Sequence, residues 1–179
     1  MTKILETERL ILREFVDEDL EELYRMNSNK EVMKYVGDGS TRTYPQQQEE
    51  LKRLKQFYVK NPGMGIWATI LQEENTFIGG SGLVYYDGTK KIELGYRLLK
   101  EYWNQGLATE ASRALLRYGF EELGATLIVS SAHPDNVASR RVMEKVGLQF
   151  KDIRFQYGCD QAYYEIDRSA YYASLIKDC

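Results

Sequence analysis

Residues 92–123 read IELGYRLLKEYWNQGLATEASRALLRYGFEEL, and the two halves of this stretch follow different periods. Ile92, Leu94, Tyr96 and Leu98 alternate with Glu93, Gly95 and Arg97, the period of two expected of a strand with two chemically different faces. From Leu107 the apolar or small residues Leu107, Ala108, Ala111, Ala114, Leu115, Tyr118 and Leu123 recur at helical spacing, with Arg113, Arg117, Glu121 and Glu122 on the remaining surface. Trp103-Asn104-Gln105-Gly106-Leu107-Ala108-Thr109 is therefore a strand-to-helix turn. A helix start aims several unpartnered backbone N–H groups in one direction, backed by the positive end of the helix dipole. Gly106 lets a ligand approach the main chain, and Ala108 and Thr109 keep the next positions small, so a pyrophosphate fits on the amides. Single-glycine turns also start many helices that bind nothing, and spacing alone leaves both readings open.

Downstream, residues 126–131 form a short apolar run between Gly124 and His133-Pro134, consistent with a buried strand parallel to the first and closing a βαβ unit. Asp135 or Asn136 caps the next helix, with Ala138, Val142 and Val146 inward and Gly147 just past its end. Residues 148–157 and 162–167 finish as two strands. Upstream, residues 66–71 and 77–86 are neighbouring strands joined around Glu74-Asn75, and Asp87-Gly88 turns the second into the strand at Ile92. Asn61-Pro62-Gly63 ends a helix through Leu51, Leu54 and Phe57 that Thr43 and Gln46 begin as a capping box. Gly37-Asp38-Gly39-Ser40 separates it from a short helical piece with Val32, Met33 and Tyr35. Before that, residues 9–15 alternate as a first strand, and Asp17 offers an N-cap to a helix carrying Leu20, Leu23 and Tyr24. The pattern predicts one α/β domain over residues 1–179, a mixed sheet with flanking helices and no linker or repeat.

Composition narrows the chemistry. A chain of 179 residues buries a full core without staples. Its net charge is -3, and its lysines and arginines are dispersed among 27 acidic residues, so the basic stripe that nucleic acid requires is missing. Two cysteines, Cys159 and Cys179, and one histidine, His133, are too few for a disulfide framework, a thiolate zinc site or a Ser-His or Cys-His relay; no metal is expected. The start MTKILETERLILRE has no apolar leader core, and no window approaches transmembrane length, which points to a cytoplasmic protein with no membrane partner. Gly79-Gly80-Ser81-Gly82 lies inside a strand pattern and lacks both the spacing of a dinucleotide fingerprint and the lysine of a P-loop. It reads as a bulge or a close-packing site. Ser81 lacks the final glycine of a nucleophile elbow. His133 reads as a loop residue. The 14 tyrosines mostly belong to strands and core, while Tyr163-Tyr164 and Tyr171-Tyr172 equally suit a cleft or a subunit contact.

Residues 93–111, followed at a fixed distance by His133-Pro134-Asp135-Asn136-Val137-Ala138-Ser139 and Glu144-Lys145-Val146-Gly147-Leu148, closely resemble the GNAT superfamily of N-acetyltransferases. The opening Thr7-Glu8-Arg9-Leu10-Ile11-Leu12-Arg13 is similar to the RimJ/RimL-like branch, which includes enzymes that acetylate N-terminal amines of ribosomal proteins. The resemblance implies a splayed mixed sheet whose two parallel central strands diverge, with the thioester arm of acetyl-CoA in the gap. Main-chain groups around Arg97, Leu98 and Leu99 are then expected to bond the pantetheine amides, the amides of Gln105, Gly106, Leu107, Ala108 and Thr109 to hold the pyrophosphate, and Asn136 to bond the pantetheine arm. Trp103 departs from the family pattern, which usually has Gln or Arg at the first phosphate-loop position.

The reaction so implied is attack of a neutral primary amine on the thioester carbonyl. Glu93 stands where many relatives carry a glutamate that acts through water, although it also reads as a solvent-facing strand charge. Many members use a tyrosine on the later helix as proton donor, but Met143 occupies that position; Ser139, one turn after Asn136, resembles a branch serine placed near the sulfur, or else bonds back to its own helix. Glu165 is a reserve base, and an electron-rich cleft lined by Glu93, Glu165 or Asp160 would suit a cationic amine. Acceptor specificity is expected from residues 29–35, the loop after Tyr86 and the last strand pair. The acceptor is a peptide N-terminus or a small amine such as a polyamine, amino acid or aminoglycoside. A module that binds acetyl-CoA without turnover is the alternative of another class. A homodimer is expected on symmetry grounds and on the aromatic surface of the last strands.

Overall fold

The computed structural model describes residues 2–177, so Cys179 lies outside the described residues. Eight strands form one sheet: β1 (Lys3–Glu6), β2 (Leu10–Arg13), β3 (Gly65–Leu71), β4 (Thr76–Tyr85), β5 (Ile92–Leu98), β6 (Leu127–Ala132), β7 (Gln149–Gln156) and β8 (Cys159–Asp167). They lie in the order β1-β2-β3-β4-β5-β6-β8-β7. Only β5 and β6 pair in parallel, and they do so at two steps, Ile92 with Ile128 and Glu93 with Val129. β5 then continues to Leu98 along β4 and β6 to Ala132 along β8 without further pairing to each other. The splayed mixed sheet is therefore present, and the Ser130 hydroxyl donates to Leu94 O at 2.8 Å where the two strands part.

Among the described residues six α-helices flank the sheet: α1 (Leu20–Asn27), α2 (Lys30–Met33), α3 (Tyr44–Lys60), α4 (Leu107–Glu121), α5 (Val137–Lys145) and α6 (Arg168–Lys177). One face buries Leu94 and Leu98 against Leu107, Ala111 and Leu115 of α4 and Met143 of α5. The other face packs Phe15, Ala68, Ile70 and Phe77 against Leu23 and Met26 of α1, Val32 of α2 and Leu51 of α3. The alternation read in residues 92–98 thus sorts β5 between two helical layers. Thr43 and Gln46 form the capping box of α3.

Several expectations are corrected. β1 and α6 were not visible as elements. β1 is a four-residue edge strand, and α6 follows β8 without a break because Asp167, the strand's last residue, accepts the Ala170 N–H at 2.8 Å. Asp17 does not cap α1; it lies in a 3-10 turn and pairs with Lys55 at 2.8 Å. Asp19 accepts the Val16 N–H at 2.9 Å and holds Arg13 through both carboxylate oxygens. On α5 the buried residue is Met143, and Val146 just past its end is buried as expected, whereas Val142 is half-buried and Ala138 exposed. Tyr163, Tyr164 and Tyr171 are buried, with Tyr171 stacked on Phe120, so these three are core, whereas Tyr172 stays exposed. The glycine run is both readings at once: the β3–β4 register shifts beside it, and a Cβ at Gly79 or Gly82 would overlap the Arg97 or Gly65 carbonyl. Among the described residues no helix is long and apolar enough to cross a membrane.

Candidate active site

The open wedge between β5 and β6 leads to the start of α4. In the antiparallel β4–β5 ladder main-chain direction alternates, and the Leu99 N–H donates to Ile78 O at 2.9 Å. The main-chain groups of Arg97 and Leu99 are thereby turned toward β4, and those of Tyr96 and Leu98 toward the wedge. The Leu98 carbonyl accepts the Trp103 indole N–H at 2.8 Å. Trp103, at the position where Gln or Arg was expected, folds back on β5 and braces the turn.

α4 begins at Gly106, whose φ of 78° is left-handed, and no side chain caps the helix. The contrast with the other helices is local chemistry: Asn29, Thr43 and Asn136 each cap their own helix start. The first intrahelical bond of α4 is Glu110 N–H to Gly106 O at 2.9 Å, which leaves the Leu107, Ala108 and Thr109 amides free of intrahelical partners. Sequence reading did not connect Arg9 with this turn. Its guanidinium donates to Gln105 O at 3.1 Å and to Glu110 Oε2 at 2.6 Å, while Glu110 Oε1 accepts the Thr7 hydroxyl and the Arg9 N–H. The strand β2 entry is thus tied to the first turn of α4 over about a hundred residues of chain. An anion on these amides would lie beside the Arg9–Glu110 ion pair, with Arg9 Nη2 close to Gly106 and not engaged by either bond.

Asn136 and Ser139 sit on the α5 side of the wedge. Asn136 caps α5 by accepting the Ser139 N–H at 3.1 Å through Oδ1, which leaves its Nδ2 group for another partner. The Tyr96 hydroxyl reaches across from β5, donates to Ser139 O at 2.8 Å and lies 3.1 Å from Ser139 Oγ. Burial raises the Tyr96 phenol well above the ordinary tyrosine range, so it is a neutral donor at any ordinary pH. Tyr96 was placed in the strand pattern as an apolar residue. Only the fold gives its hydroxyl a role.

On the opposite face of β5, Glu93, Gly95 and Arg97 point toward the α1–α3 side. Glu93 is half-buried; Oε1 accepts the Ser131 hydroxyl and Oε2 the Tyr157 hydroxyl, each at 2.7 Å. Burial pushes its carboxyl above the usual glutamate range, and the two donated bonds pull it back only in part. Neither Ser131 nor Tyr157 carries a sequence signal for this contact, because they come from β6 and from the β7–β8 turn. Tyr157 adopts a left-handed φ of 53° there, a conformation uncommon for a bulky residue.

The face is walled by two contacts. Gly37 O accepts Cys159 Sγ–H at 3.4 Å, joining the loop after α2 to β8, and Tyr35 stacks on His133 with ring centroids 5.3 Å apart. Of the acidic residues anticipated there, Glu165 shares the face of Glu93, because the register runs Glu93, Val129, Glu165 across β5, β6 and β8, and it pairs with Lys151 at 3.6 Å. Asp160 is exposed near the β7–β8 turn, and Lys91 and Arg154 lie against the Tyr163 ring.

Three comparisons bear on this geometry. The family model for the acetyltransferase (GNAT) domain matches residues 9–149. The uncharacterized N-acetyltransferase YnaD of Bacillus subtilis (strain 168) is 34% identical over 145 residues, covering 80% of this chain and 81% of that protein. The crystal structure of an acetyltransferase (GNAT family) from Bacillus anthracis superposes with a TM-score of 0.79 at 30% identity, covering 92% of this chain and 98% of the other. The fold alone is shared with AAC(6')-Ib, solved in complex with ribostamycin and coenzyme A, at a TM-score of 0.77, 20% identity and coverage of 92% and 97%.

Proposed function

This chain belongs to the GNAT acetyltransferase family and is an acetyl-CoA-dependent N-acetyltransferase; we propose that its acceptor is an α-amine and that Glu93 is the base that deprotonates it. The observation that carries the assignment is the Glu93 carboxylate, half-buried on the floor of the walled face and held by two hydroxyls at 2.7 Å, with its proton affinity raised. An α-amine has an ordinary pKa of about 8 and a lysine amine about 10.4, so a carboxylate base has less to do with the former near neutral pH.

In this reading the amine nitrogen attacks the thioester carbonyl directly in a ternary complex. The ammonium proton first passes through water to Glu93; the neutral amine then forms the C–N bond, the C–S bond breaks with its electron pair on sulfur, and the second nitrogen proton is taken up by the departing thiolate, so coenzyme A leaves as the thiol. The amides of residues 105–109, with the Arg9 guanidinium beside them, hold the pyrophosphate. The wedge-facing groups of Tyr96 and Leu98 and the free Nδ2 of Asn136 line the pantetheine arm. Ser139, oriented by Tyr96, stabilises the departing thiolate.

A second reading is favoured by one feature. Met143, buried on α5 where many relatives carry a proton-donating tyrosine, fits a module that holds acetyl-CoA without turnover. Coenzyme A release measured over a panel of peptides, polyamines and amino acids separates the two. Release with peptides or amino acids bearing a free α-amine supports the enzyme assignment. Tight acetyl-CoA binding without release on any acceptor overturns it in favour of the sensor.

A further inference from the structure

The chain's arginines divide by partner. Arg13 grips Asp19 with both Nη groups at 2.6 and 2.7 Å, and Arg9 holds Glu110 at 2.6 Å. Arg97, half-buried on the same face of β5 as Glu93, has neither kind of partner. Its Nη1 donates to Asn27 Oδ1 at 2.8 Å and contacts Met33 Sδ at 3.6 Å. Among the described residues its Nε and Nη2 groups find no acceptor, and no carboxylate comes within ion-pair distance; Glu50 acts on it only through space. Burial lowers its pKa to about 10, so it still carries its charge at neutral pH.

The surrounding polar cluster is also short of acceptors. Asn27 donates to Gln47 Oε1 at 2.7 Å, and the Gln47 side chain is fully buried with its Nε2 group unpartnered. Arg97, Asn27 and Gln47 together offer many N–H donors to two side-chain carbonyls. A partly desolvated cation without a counter-charge is costly, and the buried unpaired Gln47 donor in the same cluster adds to the cost, while Arg97 Nε and Nη2, which are not among the buried unpartnered atoms, stay open to a ligand. Both are relieved by an oxyanion that arrives from outside. The free edge of Arg97, Nε with Nη2, is the side-on fork that matches a planar carboxylate.

We propose that the acceptor carries a carboxylate on the same molecule as its amine, and that Arg97 receives this carboxylate while the amine lies toward Glu93. The inference rests on the acetyl-transfer reading above and specifies its substrate class. Glu93 and Arg97 are four strand residues apart, about 13 Å between Cα atoms, so amine and carboxylate are separated by a dipeptide-sized spacer rather than sharing one carbon. A polyamine offers nothing to this site. An acidic residue near a peptide's N-terminus, or the free carboxylate of a short peptide, offers what it lacks.

The test compares Ala-Glu, the same dipeptide with both carboxylates converted to amides, an aminoalkyl phosphate and spermidine, on wild type, Arg97→Gln and Arg97→Lys. Wild type should acetylate Ala-Glu with a kcat/KM at least about tenfold above the diamide, the scale of a charge-assisted pair. Arg97→Gln should bring that ratio close to one, and Arg97→Lys, which keeps the charge and loses the fork, should retain part of it. Calorimetric binding of Ala-Glu is measured in parallel. Binding that Arg97→Gln abolishes supports the carboxylate site even if no acceptor turns over, whereas that same silence in turnover would count against the acetyl-transfer reading. Equal rates for Ala-Glu and the diamide in wild type, a ratio unmoved by Arg97→Gln, or a preference for the phosphate would each overturn the proposal.

Discussion

The turn at Gly106 and the face around Glu93 are built from different material. The turn uses main chain: free amides at the start of one helix, a left-handed glycine, and a wedge whose edge is backbone. The Glu93 face uses side chains gathered from β5, β6, the β7–β8 turn, α1 and α3. A main-chain site tolerates changes in most of its side chains and fails where the backbone itself is altered. A side-chain site holds its backbone and loses function one group at a time. The two should therefore respond to mutation in opposite ways.

The largest effect is expected at the turn. Gly106→Val puts a side chain over the amides and forces a branched residue to a φ of 78°, so acetyl-CoA affinity should fall more than about 100-fold while circular dichroism stays close to wild type. Calorimetry on the folded variant reads it directly, and wild-type affinity would place the pyrophosphate elsewhere. On the other face, Glu93→Gln should leave acetyl-CoA affinity unchanged and lower turnover by about 100-fold near neutral pH. That loss should shrink as pH passes the acceptor's own pKa, because the amine then arrives neutral. Ser139→Ala, acting on the leaving thiolate, should lower turnover at every pH, and a pair of pH–rate profiles distinguishes the two behaviours.

Asn136 sharpens the comparison because it serves both structure and site. Asn136→Ala removes the α5 cap and should cost about 1 kcal/mol of stability, whereas Asn136→Asp keeps the cap and replaces the Nδ2 donor with a charged carboxylate oxygen. Asn136→Asp should thus unfold like wild type in denaturant and yet bind acetyl-CoA about tenfold more weakly. Equal affinity for Asn136→Asp and wild type would remove this residue from the site.

The smallest effect is one of stability. Burial raises the Glu93 carboxyl in the folded protein, so the fold binds that proton more tightly than the unfolded chain does. Its contribution is full below the ordinary glutamate range and is lost as pH rises through the raised one. Relative to wild type, Glu93→Gln should gain stability as pH climbs from acid toward neutral, read as a shift in the urea midpoint. A shift in the other direction would mean that the Ser131 and Tyr157 bonds outweigh burial.

The amino-acid sequence by itself determined the elements with strong local grammar. The period of two over residues 92–98, the helical period after Leu107, the Thr43–Gln46 capping box and the turn at Asn75 were all legible because each is decided by neighbours in the chain. The turn at Gly106 was legible for the same reason: a main-chain anion site needs only a glycine, small neighbours and a helix start, all within a few residues. β1, α6 and the inward face of α5 were not, since a four-residue edge strand has too little period to read, α6 is capped by a residue still in its strand, and Met143 is turned inward by what α5 packs on. Only the tertiary structure decided the rest of the site. Arg9 meets Glu110, Tyr157 meets Glu93 and Asn27 meets Arg97 across 101, 64 and 70 residues of sequence. Contacts at such separations leave no periodic trace, because the sheet order and the divergence of β5 from β6, rather than any local preference, bring these side chains together.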